Sequence, residues 1–125
     1  MTWLLVFLGG GLGAMARLAI ARLLPAAAGP ELGFPWATFA ANFLACILLG
    51  IGLSLAAKQQ VTPLQQMFLV TGFCGGFSTF STFSAELLTL MQQGQLLTAT
   101  LYLAGSLLVG IGSIFVVYYT SVSPT

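Results

Sequence analysis

Histidine and aspartate are missing from this chain, and charge of either sign is sparse: three basic and two acidic side chains among 125 residues. Without an imidazole, an aspartate or a group of ligating side chains, neither a nucleophile with its base nor a catalytic metal centre can be assembled. The composition therefore argues against an enzyme. A net charge of +1 with no basic cluster argues against nucleic acid as a partner and against electrostatic docking on anionic lipid. Cysteine is scarce as well. Cys46 and Cys74 each fall within an apolar stretch, the setting of small buried thiols, and imply no disulfide framework. Basic residues are also lacking ahead of the first apolar run, since Arg17 and Arg22 come after Met1 to Leu8. With that run continuing well past signal length, a retained span is expected here, not a secretion signal ending at the PAAAG of residues 25–29.

What the chain has in abundance is apolar surface. Hydrophobic residues make up 58% of it, mean hydropathy is +1.05, and there are 15 glycines, which is the composition of an integral membrane protein in contact with lipid. Its apolar runs and their breaks predict one all-α, four-span membrane domain over residues 1–125, with spans at 3–24, 36–57, 64–91 and 96–119. The connections carry turn chemistry: Pro25, Gly29, Pro30, Gly33 and Pro35 after the first span, KQQVTP after the second, QQGQ after the third. Trp3, Trp36, Tyr118 and Tyr119 stand at span ends, where an interfacial aromatic belt belongs.

The third span does not fit a plain helix. Residues 64–91 at about 1.5 Å per residue would cover about 42 Å, against a hydrocarbon core of about 30 Å. Gly75 and Gly76 stand near its centre and are followed by hydroxyl and β-branched residues, which are poor helix formers. A break at these glycines is the expectation. It would free backbone groups near mid-membrane, where they persist only if buried in protein or bound to an ion.

The same span holds the most unusual stretch of the chain, GFCGGFSTFSTFSAE at 72–86. Polar groups at membrane depth face a partner, a cavity or a pathway. On a helix Thr79, Thr82 and Glu86 form one stripe, with Phe83 beside it and Phe80 roughly 60° further round. Hydroxyls and ring edges would then share a face, and the positive edge of a phenyl ring favours an anion without a full charge. Packing between helices is the alternative for the rings. Asn42, about six residues into the second span, offers two amide hydrogens to an anion or water, or else an interhelical hydrogen bond. Tyr102, Ser106, Gly110 and Ser113 form a stripe on the fourth span that equally reads as a small-residue packing seam. Arg17, in GGGLGAMARL, either attracts anions or snorkels to the interface. The glycines around it permit close helix approach and do not form a nucleotide loop, since no strand or lysine accompanies them.

GGGLGAMAR at 9–17, PWATFAAN at 35–42 and GFCGGFSTFSTFSAE at 72–86 together resemble the signatures of the Fluc-type fluoride channels, the CrcB family. The resemblance covers essentially the whole chain, and its third motif is highly specific. It implies a fluoride-selective channel in the bacterial inner membrane, built as an antiparallel homodimer of dual topology with two pores and a sodium ion at the dimer centre. By motif position, Phe80 and Phe83 correspond to the ring pair lining the pore and Asn42 to the donor near them. Thr79, Ser81, Thr82 and Glu86 correspond to the polar stretch of the pathway, Ser106 to a hydroxyl facing it, and Arg17 to the basic position of the first motif. Gly75 and Ser78 stand where backbone carbonyls would meet the sodium. Ala37, Leu18 and Ser78 depart from the usual glycine, aromatic and threonine at their positions.

Charge placement points to the same topology without the resemblance. Arg22 belongs to one side of the membrane and Lys58 to the other, so the positive-inside bias is about zero and the chain can insert either way. An antiparallel pair would set two third spans back to back, and their freed carbonyls would suit one hard cation. Among rival functions, a four-span proton-coupled multidrug exporter would need a membrane carboxylate, for which Glu86 is the candidate. A non-transporting assembly subunit would explain the glycine seams but leave Asn42 and the hydroxyls without purpose.

Overall fold

The computed structural model describes residues 1–24 and 33–123, and the described residues form helices and connections with no strand. The turn residues Pro25, Gly29 and Pro30 lie outside the described residues. Helix α1 covers Thr2–Leu23, α2 Trp36–Ala57 and α6 Leu96–Val122, and these three are long and apolar enough to cross a membrane. Between α2 and α6 the chain is built from shorter pieces. A single turn, α3 (Pro63–Gln66), runs into a π-helix (Met67–Cys74) and then α4 (Gly75–Phe77), and α5 (Phe80–Gln92) follows after two extended residues.

The local chemistry accounts for these boundaries. Thr62 starts α3 with a capping box: its hydroxyl accepts from the Gln65 amide, and the Gln65 side chain accepts from the Thr62 amide. Pro63 at the first helical position forfeits only an amide that would have no partner there. At the other end Gly94 takes φ 73° and lets Gln95 N–H reach Leu90 C=O, closing α5 in a Schellman turn.

The extended residues are Ser78 (φ −79°, ψ 157°) and Thr79 (φ −149°, ψ 118°), and Gly75 and Gly76 are helical. The expectation had put the interruption at the glycines. Hydroxyl capping sets the position instead. Ser78 Oγ donates back to Cys74 C=O at 2.8 Å, and Thr79 Oγ1 accepts from Thr82 N–H to begin α5. Gly76 serves packing, while Gly75 faces open space. A Cβ on Gly13 would collide with the backbone at Phe73 O and lie 2.7 Å from Phe77 N, and one on Gly76 would collide with Gly10 O. Bare glycine on both sides thus brings α1 into backbone contact with the π-helix and α4.

Two small cores result. Ala41, Ala45 and Phe77 pack with Ala16, Ile20 and Phe73 where α2 and α4 meet α1. Phe83, Leu90, Ala99 and Tyr102 pack with Phe34 and Phe39 where α5 meets α6. Most large apolar side chains lie outside both cores, Trp3 (89% exposed), Phe7 and Leu108 among them. An apolar exterior on this scale is at home against hydrocarbon.

Because Gly13 has no room for a side chain and Gly11 faces open space, Gly13→Val should destabilise the fold by at least the roughly 1–3 kcal/mol of an overpacked core. Gly11→Ala should change stability by less than about 0.5 kcal/mol. Thermal loss of the monodisperse peak in detergent measures both, and equal stability of the two variants would show that α1 does not sit this close.

Candidate functional site

The interruption at Ser78 and Thr79 exposes peptide groups that a continuous helix would pair, and in an apolar surrounding each unpaired group costs several kcal/mol. Neighbouring elements supply the partners. Asn42, on α2, uses its amide as a surrogate peptide. Its Oδ1 accepts from Thr79 N–H at 2.7 Å, and its Nδ2 donates to Thr79 C=O at 3.3 Å. Arg17, on α1, donates from Nε to Gly76 C=O at 3.2 Å, placing a cation at the end of the helical run, where the backbone dipole is negative. Ser81 Oγ lies 3.3 Å from Thr79 Oγ1. Of the two readings open for Asn42, its geometry here is the interhelical bond, with one of its two amide hydrogens used.

Cavities flank Thr79 on two sides. One, of about 250 Å³, is lined by Asn42, Ser78, Thr79, Phe80, Phe83 and Ser106. Phe83 is 7% exposed and packs edge-on against Tyr102, with ring centroids 4.9 Å apart. Phe80 is 80% exposed and stands 6.1 Å from Phe83, the two ring planes tilted by 39°. Ser106 Oγ is buried without a hydrogen-bond partner, a donor held ready in an apolar wall. The other cavity, of about 240 Å³, is lined by Arg17, Thr38, Thr79 and Thr82 with small residues of α1 and α2. Beside it Thr38 Oγ1 donates to Glu86 Oε1.

Hydroxyls and rings therefore do not share one face, as had been expected. Thr82 fronts the cavity with Arg17, Phe80 and Phe83 front the one with Asn42 and Ser106, and Thr79 lines both. Two facts explain the separation. Thr79 is extended, so the helical progression does not carry through it, and the 100° between Thr82 and Phe83 suffices to turn one toward α1 and the other toward α6. Gly75 and Ser78 line a third cavity, of about 190 Å³, between α2 and the π-helix. Of the stripe on α6, Gly110 is a packing seam, since a Cβ there would meet Cys46 Sγ at 3.4 Å, and Ser113 bonds within its own helix. Thr38 escaped the sequence reading. Its signal was available, because it precedes Asn42 by four residues and so shares its face of α2.

The family model described as CrcB-like protein, Camphor Resistance (CrcB), matches residues 4–118. A "Fluoride-specific ion channel FluC" of Chlorobium luteolum is 46% identical over 120 residues, covering 95% of this chain and 88% of the relative. Proteins of the same name from Chlorobaculum tepidum and Thermus thermophilus are 44% and 40% identical. The first match covers 90% of this chain and 87% of the relative, the second 93% and 91%.

Asn42→Ala should leave the Thr79 N–H and C=O without partners, at about 1–3 kcal/mol for a buried group. Hydrogen exchange at the Thr79 amide should then accelerate about tenfold or more, since 1.4 kcal/mol is one decade. Unchanged exchange there would mean that Asn42 does not hold the interruption in place.

Proposed function

The chain belongs to the CrcB-like family, and from that premise we propose that it is a fluoride channel, passing the anion down its electrochemical gradient. The observation that carries the reading is the 250 Å³ cavity at the helix interruption, where Asn42, Thr79 and Ser106 offer neutral donors beside the rings of Phe80 and Phe83. Fluoride is small and strongly hydrated, so a path for it must replace water with several donors while holding the ion weakly enough to let go. Amide, hydroxyl and positive ring edges do this without a full charge. A chain of this kind is not an enzyme. An inside-negative potential drives an anion outward with roughly 2.3 kcal/mol per 100 mV.

The pathway in this reading runs between the two cavities by way of Thr79. Arg17 attracts the anion at the cavity shared with Thr38 and Thr82, with the Thr38–Glu86 pair at its edge, and Ser81 supports the Thr79 hydroxyl. The third membrane crossing is made by the pieces on either side of Ser78 and Thr79, a broken span completing a four-span, multi-pass protein of the bacterial inner membrane. Two chains pair antiparallel in lipid. Support comes from the balance of Arg22 against Lys58 and from an exterior with Gly75 exposed beside the interruption. At that face backbone oxygens of Gly75 and Ser78 from both copies would hold a sodium ion. The Ser78 side chain is already engaged with Cys74 C=O, so ligation falls to the main chain.

Proteoliposomes loaded with fluoride test the central claim. Efflux should be fast with fluoride, far slower with chloride, and independent of an imposed pH gradient. A proton-coupled multidrug exporter would instead need the gradient, and Glu86→Gln would abolish its transport.

The ring pair gives a second test. Phe80→Ile and Phe83→Ile each keep an apolar side chain but remove the positive edge, so fluoride flux should fall in both. Only Phe83→Ile should also lose stability, on the order of 1 kcal/mol, because it gives up the edge contact with Tyr102. Flux at the wild-type rate in both variants would take the rings out of the pathway.

A further inference from the structure

The two cysteines, far apart in sequence, come together in the fold. Cys46 on α2 and Cys74 at the end of the π-helix line the same 190 Å³ cavity, with Val70, Leu49 and Ser78 forming the rest of its wall. Both are free thiols. Cys46 also lines the cavity of Asn42, Phe80, Phe83 and Ser106, so it stands on the wall between the two. Packing alone would be served by any small apolar side chain on either element. A pair of thiols from two elements facing one small cavity is in addition a ligand set for a soft cation, since thiolates select soft metals over hard ones.

We propose that Cys46 and Cys74 together form a site for a soft, two-coordinate cation of the mercuric or cuprous kind, and that its occupation closes the adjoining pathway cavity. Mercuric chloride is the natural probe, being neutral and able to enter from lipid. Each thiol would lose its proton and form a sulfur–mercury bond, giving one S–Hg–S bridge with release of two protons and two chloride ions. The bridge would tie α2 to the π-helix and set the bound cation against the wall that Cys46 shares with Asn42, Phe80 and Phe83, narrowing that cavity. The hard sodium ion proposed for the Gly75 and Ser78 oxygens would not compete for these sulfurs.

The site itself is tested without transport. One equivalent of mercuric chloride added to the purified full chain should raise its intact mass by one mercury less two hydrogens and remove the maleimide reactivity of both cysteines together. In Cys46→Ser the single remaining thiol should bind mercury that glutathione strips away, whereas the bridge in the unaltered chain resists it by an order of magnitude or more, as a second bond requires. Uptake of two mercury atoms, one per thiol, or a Cys74 still reactive after one equivalent, would overturn the site. The link to the pathway rests on the channel reading and is tested apart. Mercuric chloride should stop fluoride efflux, dithiothreitol should restore it, and Cys46→Ala should resist the block. Full efflux with the bridge demonstrably formed would overturn that link and leave the site standing.

Discussion

The whole candidate site depends on keeping two extended residues satisfied in an apolar surrounding. Ser78 and Thr79 leave the helical path, and an irregular backbone in an apolar surrounding persists only when protein groups take the place of the missing ladder bonds. Asn42 does so for both polar groups of Thr79, Arg17 for Gly76 C=O, and the hydroxyl of Thr79 for Thr82 N–H. The side chains that make the interruption possible are the ones that line the cavities beside it, so backbone support and the candidate site share residues here. A substitution at Asn42 removes a lining group and a backbone support together.

The glycines serve the same end from a distance. Arg17 reaches Gly76 because α1 lies against α4 with no side chain between the backbones near Gly10, Gly13 and Gly76. Wider spacing would draw the guanidinium away from a carbonyl already 3.2 Å from its Nε. The helix-packing surface and the polar site are thus linked through geometry, although no glycine of α1 lines a cavity with Asn42.

Much of this was legible in the sequence, and what was not has physical causes. Helix α2 runs over the residues that the apolar run and its breaks marked, 36–57, because Pro35 and the polar run from Lys58 bound it sharply. Asn42, Phe80, Phe83, Thr79 and Ser106, which the family resemblance grouped together, line one cavity. The place of the interruption was misjudged because glycine's poor helix propensity is a weak preference. At Gly76 close packing on α1 offsets it, and serine and threonine capping acts two to three residues later. Propensity also gave no warning of the π-helix at Met67–Cys74, since side-chain types do not encode one extra residue per turn. The split of hydroxyls from rings depends on which neighbour stands on each side of α5, which is tertiary information.

Separating the guanidinium from the rings would let the proposed channel both attract and release its ion. At an effective dielectric constant of 20, a full positive charge about 4 Å from an anion contributes about 4 kcal/mol, whereas a favourable aromatic contact contributes about 0.5–1.5 kcal/mol. Were Arg17 to share the cavity of Phe80 and Phe83, the attraction to its full charge would dominate and the ion would stay. In the fold Arg17 instead lines the opposite cavity, and its Nε is committed to Gly76 C=O. The ring cavity is left with neutral donors and positive edges. An anion passing Thr79 would then move from a strong, partly neutralised attraction to a set of weak contacts, a sequence that favours entry on one side and escape on the other.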